Sequence, residues 1–146
     1  MPCQYKIEQS KDEEVYETGK FQLECKIHSD QDYCTNQWKK CTWTRNKDNM
    51  KCHIHHLSDD KVTTSCDGQM KKEERIEVDS SNMKDGVCRI KVNSSNFDDT
   101  GMWICSINPC MNTMNEKPCK KGTGKEEEAM IEVKVNDIFL ITYGIS

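Results

Sequence analysis

Ten cysteines in 146 residues constrain this chain more than any other feature. The length is that of about one domain. With 34% hydrophobic and 32% charged residues, the apolar core is lean, so covalent cross-links are the natural supplement. In a reducing compartment the cysteines would stay thiols, useful structurally only as metal ligands. Their even number and scattered spacing instead predict an oxidising compartment and up to about five disulfides.

Charge narrows the field. The net charge is −4, with acids and bases interspersed, whereas a nucleic-acid binder gathers a basic excess on one face. The cluster Lys117, Lys120, Lys121 and Lys125 runs straight into Glu126, Glu127 and Glu128, which reads as a solvated loop of mixed sign. No apolar leader follows Met1-Pro2-Cys3, so an extracellular chain is expected to be a mature or expressed segment. The run from Ile138 to Tyr143 is apolar but shorter than the about 20 residues that span a bilayer. It is read as a terminal strand, a linker or the start of a truncated segment. Membrane attachment would therefore need an anchor outside this chain.

Two-residue alternation dominates. "GKFQLEC" (19–25) sets Phe21, Leu23 and Cys25 on one face and Lys20, Gln22 and Glu24 on the other, the pattern of a strand with one wet side. The same period aligns Cys41 with Trp43, Ile76 with Val78, and Trp103 with Cys105. It also aligns Cys88, Ile90 and Val92, and then Ile131, Val133 and Val135. Turn-forming segments such as "RNKDN", "DSSNMKDG" and "NSSNFDDTG" separate the runs. Six or seven short strands and no sustained helical period predict an all-β, two-sheet antiparallel sandwich.

Three residues specify the sandwich further. Cys25 ends a G-x-F-x-L-x-C strand, Cys105 ends D-x-G-x-W-x-C (Asp99, Gly101, Trp103), and Trp43 lies between them. This order of Cys, Trp and Cys resembles the immunoglobulin superfamily, in its variable- or intermediate-set form, over roughly residues 5–136. The resemblance implies an immunoglobulin-like domain over 1–136 and a flank over 137–146. It implies an inter-sheet Cys25–Cys105 bridge with a core tryptophan packed on it, and a bond from Asp99 to a basic residue at the start of the fourth strand, here Arg75. Trp38 lies nearer the usual spacing from Cys25, but Asn36 precedes it by two where Cys41 precedes Trp43, and an inward Asn is costly. Trp43 is therefore taken as the core residue. Trp103 stands where most members have Tyr, a pattern familiar among invertebrate members. The corner hydrogen bond of a phenol is therefore missing; an indole N–H, which can only donate, could substitute for it.

The remaining cysteines are extra. Cys41 and Cys88 both face inward on strands of opposite sheets and predict a second core bridge. Cys110 and Cys119 share one loop and predict a local bridge. The sequence does not fix the pairing of Cys3, Cys34, Cys52 and Cys66; Cys52–Cys66 is a guess from nearness in sequence, with Cys3–Cys34 as the remainder.

Sites for chemistry are few. "CHIHH" offers Cys52, His53, His55 and His56 as zinc ligands. On a strand, however, Cys52 and His56 face away from His53 and His55, so the favoured reading is a disulfide cysteine beside exposed histidines on an edge strand, with no metal or other cofactor. Asn93 heads the sequon "NSS", a glycosylation site expected to face solvent on a loop. No nucleophile elbow, zinc-protease helix or phosphate-cradling loop is present, and no catalysis is expected. Two long connections, 27–39 and 106–127, should emerge at one end of the sandwich, and long loops on a rigid scaffold carry binding. Tyr33, Trp38, Met111, Met114 and Lys120 are the expected contact residues. The chain is thus read as an extracellular recognition domain, of a receptor, adhesion molecule or secreted protein. Its partner would be a protein or glycan, with homophilic pairing included and nucleic acid excluded. A C–F–G sheet face is the other candidate surface. The alternatives are a disulfide-rich secreted effector and a metal-binding module built on Cys52 and the histidines.

Overall fold

A computed structural model describes residues 5–8, 11–29, 40–58, 61–67, 75–79, 86–107 and 127–138. Among them are ten strands: β1 (Tyr5–Glu8), β2 (Glu13–Tyr16), β3 (Phe21–Ser29), β4 (Lys40–Arg45), β5 (Met50–Ser58), β6 (Lys61–Cys66), β7 (Ile76–Asp79), β8 (Val87–Val92), β9 (Gly101–Ile107) and β10 (Glu127–Asn136). A four-stranded sheet has the order β1-β3-β8-β7, and a six-stranded sheet the order β2-β10-β9-β4-β5-β6. All pairings are antiparallel except β2 with β10. The first two strands divide between the sheets, so each sheet gains an edge strand from the N-terminal segment. The result is an all-β, two-sheet sandwich compatible with an immunoglobulin-like fold.

The alternating residues face one another across the sandwich. Leu23, Cys25, Ile27, Cys88, Ile90 and Val92 from one sheet meet Cys41, Trp43, Cys52, Ile54, Trp103, Cys105, Ile107, Ile131 and Val133 from the other, all buried. Two bridges cross the interior: Cys25 (β3) to Cys105 (β9), and Cys41 (β4) to Cys88 (β8). A third, Cys52–Cys66, ties neighbouring β5 and β6 within one sheet. Loop closures spanning 80, 47 and 14 residues would contribute about 4.5, 4 and 3 kcal/mol if each acted alone in the chain-entropy model.

Several expectations are corrected. The strands are more numerous than the six or seven predicted. β5 is flanked on both sides and β6 is the edge, because a backbone ladder, not apolar content, recruits β6. β3 and β9 run on to Ser29 and Ile107, which shortens the connections to 30–39 and 108–126. Arg75 lies just ahead of β7 rather than within it.

Candidate functional site

At one end of the sandwich a single 3-10 turn (Phe97–Asp99) leads into β9. Asn96 caps it in a capping box, with its side chain accepting from the Asp98 N–H and the Asp99 carboxylate accepting from the Asn96 N–H at 3.0 Å. Asp99 is fully buried. Arg75 donates to it from Nη1 and Nη2 at 2.6 and 2.8 Å, and Arg45 from Nη1 at 3.0 Å. The carboxylate is thus held from the ends of both sheets. Arg45 is itself buried, donates through Nε and Nη2 to Asp48, and lies 5.9 Å from the Trp103 ring centroid. That hydrogen bond holds the Asp48 carboxyl below its ordinary pKa. The Trp103 indole N–H donates to the Asp99 carbonyl at 2.9 Å, so an indole makes the corner bond. Gly101 follows at φ 121°, a left-handed conformation that glycine adopts without strain. Arg45 was missed at the sequence level, although it stands two residues beyond Trp43 on the inward face of β4.

The other end is where the long connections leave. The chain exits β3 at Ser29 and re-enters at Lys40, then exits β9 at Ile107 and re-enters at Glu127. In register, Ile107 lies between Cys41 on β4 and Glu127 on β10. The Lys40 end of the first connection and both ends of the second are therefore adjacent, and the Cys41–Cys88 bridge fastens the second residue of β4 to the opposite sheet. Tyr33, Trp38, Met111, Met114, Lys120, Cys110, Cys119, Cys3 and Cys34 lie outside the described residues.

Between these ends, the outward face of the six-stranded sheet is hollowed into a cleft of about 310 Å³. Thr42 and Thr44 on β4 and Ser106 on β9 contribute small hydroxyl side chains. Lys51 and His53 on β5, Lys40 on β4, Ile104 on β9, Glu128 on β10, and Asn46 and Asn49 from the β4–β5 turn complete the lining. Thr42 and His53 are cross-strand partners, Oγ1 to Nδ1 3.0 Å. Partial burial, then the nearby Lys40 charge, lowers the His53 pKa.

The proposed four-residue metal set does not assemble. Cys52 is bonded to Cys66 and buried beside Ile54, whereas His53 and His55 stand on the other face; the His56 side chain is outside the described residues. Asn93 is half-buried, just after β8. Its N–H donates to the Arg75 carbonyl, and the sequon's Ser95 is buried with its hydroxyl donating to the Tyr16 carbonyl. No protein-family model matches the chain, and no curated protein matches it.

Proposed function

We propose that this chain is an extracellular recognition domain of the immunoglobulin superfamily that holds a protein or glycan partner without catalysing a reaction on it. The observation that carries the reading is the adjacency of the two long connections at one end of a sandwich cross-linked by three disulfides. Such a frame holds the points where the connections leave and re-enter the sheets in a fixed relation, which lowers the conformational cost of binding through them. The strand order and the Cys25–Trp43–Cys105 constellation support the superfamily assignment. The bridges also support an oxidising location.

The contact residues proposed are Tyr33, Trp38, Met111, Met114 and Lys120. The test is a multimerised domain applied to cells or to an array of extracellular proteins, beside a Tyr33→Ala/Trp38→Ala variant, a Met111→Ser/Met114→Ser variant and a Lys47→Ala control at the opposite end. The reading expects the two connection variants to lose binding at unchanged melting temperature while the control keeps it. Equal binding by all four proteins would remove the connections from the function.

A further inference from the structure

We infer that the cleft on the outward face of β10, β9, β4 and β5 binds an acidic saccharide, one carrying sulfate or carboxylate groups. The inference rests on the recognition reading but places its ligand on the sheet face, not on the connections.

The lining argues for this ligand. Thr42, Thr44, Ser106, Asn46 and Asn49 present hydroxyls and amides, which both donate and accept and so match a ligand whose surface is itself hydroxyls. Lys40 and Lys51 supply two cations, each without an ion pair to a described carboxylate. Glu128 is the one acid among the described lining residues, and Asp67 accepts from the Lys51 backbone N–H beside it. The described lining itself carries two lysines against one carboxylate, in a chain whose net charge is −4. Among the described residues, Ile104 is the one large aliphatic side chain in the lining. Hydroxyl and amide side chains make up half of the described lining, Thr42, Thr44, Ser106, Asn46 and Asn49, which favours a sugar over an acidic peptide. The cleft follows β4 from Lys40 to Asn46, about 20 Å of strand, which suits a short chain of sugar units rather than a single one.

The probes are a heparin-derived oligosaccharide for sulfate, an oligouronate for carboxylate, neutral dextran, and oligoglutamate as the peptide competitor. Each is titrated into the isotopically labelled domain and followed by amide NMR. The expected result is saturable binding of one or both acidic saccharides, with shifts centred on Thr42, Thr44 and Ser106. Dextran should give none, and affinity should fall as salt rises. Lys40→Ala and Lys51→Ala should each weaken binding about tenfold, with the melting temperature unchanged because both side chains lie on the solvent side. Three results would overturn the inference: no binding by either acidic saccharide, binding untouched by both lysine variants, or oligoglutamate binding as tightly as the sugars. A domain that fails here yet binds its partner through Tyr33 and Trp38 refutes the cleft alone; one that binds the sugar but is indifferent to the connection variants refutes the connection reading alone.

Discussion

Cys25 and Cys88 stand directly opposite each other on β3 and β8, yet each is bonded to a different strand of the facing sheet. The sulfurs of Cys25, Cys88 and Cys105 all lie within 4.8 Å of one another, so the two core bridges form one buried sulfur cluster.

That proximity predicts exchange when one bridge is opened by mutation. In Cys41→Ala, the Cys88 thiolate is within reach of the Cys25 sulfur. Attack forms a Cys25–Cys88 bond and releases the Cys105 thiolate, with no external oxidant. Directly opposed strand residues have alpha-carbons about 4.5–5.5 Å apart, inside the span a disulfide accepts. Alkylation followed by non-reduced peptide mapping should find both Cys25–Cys105 and Cys25–Cys88 bonds, with label divided between Cys88 and Cys105. A single bond, Cys25–Cys105, with label confined to Cys88 would contradict this. The double variant Cys41→Ala/Cys88→Ala should keep one pairing and lose up to about 4 kcal/mol of stability.

Asp99 should be the costliest acid to neutralise. Asp99→Asn keeps the shape but removes the charge that balances Arg75 and the buried Arg45, an imbalance of the kind that costs about 3–5 kcal/mol. Asp98→Asn touches only the exposed pair with Lys47, 3.3 Å apart, and should cost about 0–1 kcal/mol. Urea midpoints for the two variants, at equal slopes, decide the ranking.

Much of this arrangement was legible in one dimension. Alternation marked the inward residues of β3, β8, β9 and β10, because each of those strands buries one face and wets the other. The 3-10 corner could be read through Asp99 and Gly101. Arg45 was passed over because a charged residue on an apolar face looks like the end of the pattern, and its role depends on an acid 54 residues away. β1, β2 and β6 carry too few apolar side chains to announce themselves, and exist through their ladders with β3, β10 and β5. The cleft was illegible for a related reason. Thr42, Thr44 and Ser106 come together only through the β4–β9 register, which places Thr42 beside Ser106.

The two core tryptophans should respond differently to loss of the indole nitrogen. Both are fully buried. Trp103 donates to the Asp99 carbonyl, whereas the Trp43 Nε1 has no hydrogen-bond partner among the described residues. Phe at either position leaves a cavity, but at Trp103 it also strands a carbonyl at the corner, while at Trp43 it removes a donor already unsatisfied. Trp103→Phe should therefore cost about 1 kcal/mol or more beyond Trp43→Phe. Equal losses by thermal or urea unfolding would place an unseen acceptor at Trp43.

Mild acid should weaken the fold through His53. Burial, followed by the Lys40 charge, lowers its pKa below the ordinary 6.5. In the window between the lowered folded value and about 6.5 the unfolded chain binds more protons than the native one, so stability rises with pH and falls as pH drops. The groups acting on the ring are Lys40, Lys51 and His55, which oppose protonation, and Asp67, which favours it. Melting temperatures followed downward from about pH 7.5, above the ordinary histidine value, should decline as the window is crossed, and less steeply in His53→Gln, which cannot take the proton. Asp48 adds a separate loss at lower pH: its pKa is depressed through Arg45, so its contribution is present above the unfolded value and disappears as pH falls through the folded one. A His53→Gln profile that overlays the parent between about pH 6.5 and 5 would assign the mild-acid loss to other groups.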